Sequence, residues 1–428
     1  MRIINTKNKN FKSQIESLIF NRQIESKKSE KIVSQILSRI RKKGDEALIY
    51  YSNRFDKAKL NKKKIKVSES EIKKNILKLD SSVKKSIDLA FTRISTYHKK
   101  QKNLGFQFKD KLGNKLGYKI TPLKKIGIYV PGGTASYPST LLMNCIPALE
   151  AGVKEIYCVM PAPKGELNPA VLYAAKKCKV KAIFRVGGAQ AIGALAYGTK
   201  SIPQVDKIVG PGNIYVATAK KQVFGTVGID MMAGPSEITV IADQNNKPDW
   251  TAIDLLSQAE HDVSSQSILL TTNLKFALRV KKEINKILKY LPRKKIASQS
   301  IKKFGCIIIC KNKKEITDIA NLIAPEHLEI KIKNPEKIEK NIFNAGSIFL
   351  GEYSPEAIGD YLAGPNHVLP TSGTARFASG LSVSDFLKRT SIIKCSKTGI
   401  VKIGQSAIKL ANYEGLQAHA MSVQKRLG

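Results

Sequence analysis

The sequence predicts an α/β protein built on doubly wound parallel sheets, and three observations carry that reading. Short apolar runs alternate with helical segments from residue 126 onward. The runs are apolar at consecutive positions rather than at every second one, as strands covered on both faces require. They are numerous enough for two sheets in a chain of 428 residues, which is long enough to bury more than one core.

Each element follows from its own stretch of sequence. The first hundred residues read as helix with polar breaks, since 31–51 places Ile32, Ile36, Ile40 and Leu48 at helical spacing and 70–94 continues that pattern. The period then changes. Apolar runs at 126–130, 156–160, 182–186, 207–210, 238–242, 267–271, 306–310 and 347–350 read as strands. Helical segments at 139–151, 168–178, 189–197, 214–224, 250–262, 274–290 and 316–323 alternate with them, and the chain returns to helix over 407–427. No repeat, low-complexity tract or long Pro/Gly/Ser linker interrupts the alternation.

Composition narrows the function classes. A hydrophobic fraction of 42% with 25% charged residues is an ordinary globular balance and excludes disorder as the whole answer. Lys and Arg number 73 against 34 Asp and Glu, leaving a formal net charge of +39, the surplus a nucleic-acid binder shows. Against that role, lysine far outnumbers arginine, aromatics do not interleave the basic positions, and lysines such as Lys62, Lys99, Lys124, Lys176 and Lys294 are spread along the chain. Codon drift accounts for the surplus, so no dedicated nucleic-acid partner is expected; a basic nucleic-acid-binding protein is the alternative from another class. No run of eighteen apolar residues occurs, and the N-terminus is charged without an apolar stretch. No membrane partner and a cytoplasmic location are therefore expected. Six cysteines without a C-x-x-C pair, mostly inside apolar stretches, read as buried thiols.

Three glycine-rich loops, 131–134 (PGGT), 187–190 (GGAQ) and 210–213 (GPGN), each follow a strand and precede a helix. Helix N-termini at strand ends offer free N–H groups to phosphate. None is a G-x-G-x-x-G, so tight strand-to-helix turns explain the glycines equally well.

Histidine is scarce, occurring at His98, His261, His327, His367 and His419. Gln258 and His261 are three apart on one helix and leave the same face. Asp360 lies on a helix that Ser354 can cap and Pro355 can start, where the plain reading is a solvated carboxylate. Gln258, His261, Asp360 and His419 would together suit a borderline divalent ion, although their separation in sequence does not define a site. Glu326 and His327 are adjacent in APEHLEI and would point opposite ways from an extended segment, serving different protons, or be an exposed Glu beside a hydrogen-bonded His. His367 sits in a Gly/Pro-rich loop that it either anchors or serves chemically, and His98 reads as surface.

Taken together, GIYVPGGTASYPST, RVGGAQAIGALAYGT, VGPGNIYVATAK, IDMMAGPSEITVIAD, DLLSQAEHD, IAPEHLEI, NAGSIFLGEYSPEAIGDYLAGPNHVLPT and YEGLQAHAMSVQKR resemble the histidinol dehydrogenase family over about residues 124–424. The first 120 or so residues match only in pattern, and Met232 stands where the family commonly has proline. The resemblance implies NAD-dependent oxidation of L-histidinol to L-histidine through L-histidinal, with Zn2+ orienting the substrate. It puts the metal ligands at Gln258, His261, Asp360 and His419, and the NAD contacts at Tyr129, Gln190 and Asn213. The substrate pocket falls on Ser236, Glu414, His327 and the ligands, and the acid/base pair on Glu326 and His327. The implied fold is two Rossmann-like doubly wound domains with small, mostly helical terminal segments. Residues 1–24 would form an arm, 25–128 with 236–381 the domain of the metal and catalytic residues, and 129–235 an inserted NAD-side domain. Residues 382–428 would form a tail reaching the partner subunit of a homodimer with composite sites. The enzymatic alternative, a zinc-independent aldehyde or alcohol dehydrogenase, would need a reactive cysteine or a Tyr/Lys pair, and no cysteine here lies in a suitable loop.

Overall fold

A computed structural model describes residues 1–20, 27–101, 105–132, 137–232 and 234–427. The expected boundary at residue 24, and Gly133 and Thr134 of the first glycine loop, lie outside the described residues. In chain order the strands are β1 (Arg2–Asn5), β2 (Gln107–Lys109), β3 (Lys115–Pro122), β4 (Lys125–Tyr129), β5 (Glu155–Val159), β6 (Ala182–Phe184), β7 (Lys207–Val209), β8 (Gly228–Ile229), β9 (Glu237–Ile241), β10 (Gln266–Thr271), β11 (Cys306–Ile309), β12 (His327–Ile330), β13 (Ser347–Leu350) and β14 (Leu387–Lys394).

Two parallel sheets emerge. One is five-stranded in the order β6-β5-β4-β7-β8, the other six-stranded in the order β1-β11-β10-β9-β12-β13. Their apolar runs have a physical cause. In β4 and β5, Tyr129, Tyr157 and Val159 feed one core while Ile126, Ile128, Ile156 and Cys158 feed the core on the opposite face. In the other sheet, Ile241, Leu270 and Ile308 face one core, and Ile238, Val240, Leu269 and Ile307 the other. Successive side chains leave opposite faces of a strand, so burial on both faces demands apolar residues at both parities.

The division of the chain differs from the expected one. Helices Lys27–Lys43 and Asp45–Asp56 pack in one core of the five-stranded sheet, and Ser81–Lys99 contributes to the other. Helices within 27–99 therefore pack on the five-stranded sheet, not on the six-stranded one, and β4 is that sheet's central strand. Gly193 makes the docking possible, because a Cβ there would stand 3.0 Å from Leu37 and 3.3 Å from Ile40. The arm, conversely, is a structural part of the six-stranded sheet, with Arg2 to Asn5 in parallel register with Cys306 to Ile309.

Other differences are local. The helix expected over 31–51 breaks at Gly44, which has φ +51°, and 70–94 is two helices, Glu69–Ile76 and Ser81–Lys99. His98 is fully buried: its Nδ1–H donates to Ile94 O at 2.9 Å, and Asn366 Nδ2 donates to its Nε2 at 3.4 Å. That burial comes from a segment 268 residues away, beyond the reach of local polarity. Five cysteines are buried, but Cys395 is exposed. A third sheet, β14-β3-β2, is antiparallel, and its largely solvated strands offer no apolar run to signal it.

The tail is attached through this small sheet. Ser396 Oγ donates to Leu112 O at 2.7 Å, Asn114 Oδ1 accepts Ser396 N–H at 2.9 Å, and Gly399 lies so close that a Cβ would overlap Asn114 Oδ1. Gly399→Leu is expected to weaken that seat by roughly 1–3 kcal/mol, the cost of overpacking. Faster proteolysis of the 397–427 segment, with the rest of the chain resistant, is the measurable result; unchanged cleavage would refute it.

Candidate functional site

The strand order of the six-stranded sheet reverses between β9 and β12, and the chemistry gathers at their amino ends. His327 opens β12 opposite Ile238, with Glu237 just before it in β9. His327 Nδ1 lies 2.9 Å from Glu237 O and 3.0 Å from the Gln258 amide. Donation from Nδ1–H to the carbonyl means that the neighbouring Gln258 Nε2–H2 does not donate to Nδ1, and it leaves His327 Nε2 with its lone pair; that atom is buried without a hydrogen-bond partner. Burial holds the imidazole below its ordinary pKa, against the pull of Asp360. Glu326, also buried, accepts Glu237 N–H at 2.8 Å. The two side chains therefore do not point apart. Both reach one peptide segment, and Glu326 Oε2 comes within 3.7 Å of His327 Nδ1.

Facing His327 Nε2 are Glu356 Oε1 at 3.9 Å and Asp360 Oδ1 at 4.0 Å. Helix Glu356–Tyr361 carries both, four residues apart on one face. Ser354 does not cap it; Glu329 Oε1 instead accepts Glu356 N–H at 2.7 Å. Burial, with Asp360, Glu329 and Glu326 adding, pushes the Glu356 carboxyl well above its ordinary range. Behind it, Lys331 is paired with Asp254 and lies 3.2 Å from Glu329. Burial lifts Glu329 to about 8 and lowers Lys331 to about 8.

His261, Glu356 and Asp360 bring ligand atoms within 4.8 Å of one another. Two ionised carboxylates that close repel by about 3–4 kcal/mol at an effective dielectric near 20, so such a pair shares a proton or holds a cation. Gln258 Oε1, Glu356 Oε1 and His327 Nε2 are buried without hydrogen-bond partners. The oxygen, nitrogen and carboxylate set fits a borderline divalent ion. Gln258 lies in the last turn of helix Pro248–Ala259, while His261 stands just past the helix end and is exposed, so the expected shared helix stops short. A cavity of about 300 Å³ adjoins, lined by His327, Phe349, Asp360 and His367 among others. His367 Nδ1–H donates to Asp360 O at 3.0 Å, which makes it the loop's anchor. Ser236 precedes β9, half-buried.

The proposed NAD residues gather elsewhere, at the carboxyl edge of the five-stranded sheet. Its order reverses between β4 and β7, the crevice where doubly wound sheets bind ligands. Tyr129 ends β4, its hydroxyl accepting Gly188 N–H at 3.1 Å; burial pushes its pKa up to about 12. Gln190 is buried in the first turn of helix Gly188–Tyr197, and Asn213 caps helix Ile214–Val223 by accepting Tyr215 N–H at 3.1 Å.

Glu414 and His419 are not brought to this site. Both are exposed on the tail, Glu414 at the end of helix Lys397–Tyr413 and His419 on helix Gln417–Gln424. The apolar stripe of the short helix docks within the tail, Val423 and Leu427 against Gly404.

The comparisons decide the family. Its histidinol dehydrogenase model matches residues 20–427. The chain belongs to the histidinol dehydrogenase family. Histidinol dehydrogenase 1 of Nostoc sp. is 50% identical over 427 residues, covering 100% of this chain and 99% of that protein. Histidinol dehydrogenase of Pelagibacter ubique is 49% identical over 428 residues, covering 100% and 99%. The crystal structure of histidinol dehydrogenase from Elizabethkingia anophelis superposes with a TM-score of 0.94 at 40% identity, covering 100% of this chain and 98% of that one. Membership in the histidinol dehydrogenase family makes the chain an oxidoreductase of histidine biosynthesis. No helix among the described residues is long and apolar enough to cross a membrane.

For a histidinol dehydrogenase family member, sequence reasoning passed over Glu356, Glu329, Lys331, Asp254 and Glu237. Glu356 had a signal, lying one helical turn before Asp360. Glu329 and Lys331 alternate with apolar residues in β12 and just beyond it, a pattern shared with half-solvated strands, yet both are buried.

Proposed function

We propose that this chain carries out the NAD-dependent four-electron oxidation of L-histidinol to L-histidine through L-histidinal in the cytoplasm, at a Zn2+ site. The observation that carries the reading is the convergence of unpartnered buried atoms, Gln258 Oε1, Glu356 Oε1 and His327 Nε2, beside His261 and Asp360. Gln258, His261 and Asp360 would hold the ion, with Glu356 in reach, and His419 would come from a second copy. When bound, the ion supplies a Lewis-acidic anchor for the imidazole nitrogen and amine of histidinol.

The chain's own groups account for the proton movements. In the first step His327 Nε2 would take the hydroxyl proton as the alcohol carbon gives up its hydride, with NAD as the acceptor and the ring held by Nδ1–H donation to Glu237 O. In the second, Glu326 would take a proton from water as it adds to the aldehyde while His327 returns its proton to the aldehyde oxygen; the gem-diol would then give up a hydride, with a second NAD as acceptor, as His327 takes the hydroxyl proton and the carboxylic acid is left. Ser236 and Glu414 would complete the substrate pocket. Tyr129, Gln190 and Asn213 would contact NAD, with the N-terminus of helix Ile214–Val223 behind Asn213 suited to phosphate. The exposed tail supports a homodimer: Leu410, Tyr413 and Met421 stand 65%, 93% and 60% exposed, which a single copy leaves in water.

Histidinol should yield two NADH per turnover, followed by absorbance, and a strong chelator should abolish the yield until Zn2+ is restored. Full turnover by protein that elemental analysis finds free of divalent metal would overturn the reading.

A further inference from the structure

Lys220 and Asp230 form an ion pair whose side chains are only 3% and 1% exposed, at the carboxyl edge of the five-stranded sheet. Asp230 directly follows β8, and Lys220 lies on helix Ile214–Val223. Lys220 Nζ also donates to Gly210 O at 3.0 Å, and Gly210 N–H donates to Asp230 Oδ2 at 2.8 Å. The three contacts close a ring that grips both peptide groups of a single residue. That residue is the first of the loop 210–213, with φ +111°, and a Cβ there would overlap Tyr129 O. Only glycine takes this conformation at this distance without strain.

The ring ties three segments together. It sets the loop after β7 against the end of β4 at Tyr129, and Tyr129 is in turn bonded to Gly188 of the loop after β6. A buried pair is a weak source of stability, since desolvation offsets most of its attraction and apolar residues of like volume do as well. What a pair does that apolar residues cannot is hold a donor and an acceptor of one peptide in fixed directions.

We propose that Lys220 and Asp230 are positioning residues for dinucleotide binding: they hold the Gly210 peptide so that loop 210–213, Asn213 and the helix N-terminus behind it present one conformation to the cofactor. This rests on the reading of that sheet edge as the NAD site. Neither side chain need touch the cofactor.

Asp230→Asn is the sharpest probe. An amide has one acceptor, so it satisfies either Lys220 or the Gly210 N–H and opposes the other with its own N–H. The Lys220→Met/Asp230→Asn double variant removes the buried charge altogether and keeps the test available if a single change fails to fold. The NADH dissociation constant, read by its fluorescence, should rise roughly tenfold or more in both variants, a loss of about 1.4 kcal/mol of binding free energy. The KM for NAD should rise with it while the KM for histidinol stays the same. A folded variant with wild-type NADH affinity overturns the clamp alone. A loss of active protein with both KM values unchanged assigns the pair to stability and likewise overturns it. Absence of NADH binding by the unaltered protein overturns the NAD reading and the clamp together.

Discussion

His327→Asn is expected to slow histidinol oxidation by roughly 10²–10⁴-fold, the usual contribution of a positioned acid or base. Asparagine can still donate to Glu237 O, so strand β12 keeps its seat and the folded protein is retained; what disappears is the Nε2 lone pair that faces Asp360 and Glu356. Glu326→Gln should behave differently. Its amide oxygen still accepts Glu237 N–H, but it takes no proton from water, so histidinal oxidation should fall more than histidinol oxidation. Supplying each substrate separately and following NADH distinguishes the two. Equal losses of both half-reactions in both variants would mean that the pair acts as one unit and that the division of labour is wrong.

Mixing inactive His261→Ala chains with inactive His419→Ala chains should restore activity once subunits exchange. His261 belongs to the cluster with Glu356 and Asp360, whereas His419 is exposed on a tail whose helices pack on each other. If the tail completes a neighbour's site, a mixed dimer holds one intact site and one damaged twice. Random pairing makes half the dimers mixed, so recovery approaches about a quarter of wild-type activity under closed two-fold symmetry. No recovery despite demonstrated exchange would assign His419 to its own chain's site.

What could be read from the sequence divides along physical lines. The parallel strands were visible because burial on both faces leaves an unbroken apolar run, as in Cys306–Ile309. The edge strand Arg2–Asn5 offers only Ile3 and Ile4 between polar residues, and the antiparallel sheet is too solvated. Gln258, His261 and Asp360 were legible as types, and through the resemblance as ligands, yet their convergence depends on strand order, which no local pattern encodes. Glu356 and Glu329 stayed hidden because a buried carboxylate and a solvated one look alike in sequence. His98 was misread for the same reason in reverse: its neighbours in sequence are lysines, while its neighbours in space are Ile94 and Asn366. The packing of 27–99 on the five-stranded sheet is not encoded locally either: it depends on Gly193, across the core, leaving room beside Leu37 and Ile40.

The pairing of Arg2 to Asn5 with Cys306 to Ile309 bears on how the chain is made. The ribosome delivers the first of these partners about 300 residues before the second, an interval of roughly 15–60 s at bacterial elongation rates. Throughout it the strand Arg2–Asn5 has no ladder to join, whereas all five strands of the other parallel sheet are delivered by Ile229 with the helices that precede them, although one of its cores still waits for Val368, Leu381 and Phe386. Translation therefore sets the order in which partners become available: the strands of the five-stranded sheet by residue 229, the ladder for Ile3 and Ile4 only at residue 309, and the full six-stranded sheet only at residue 350.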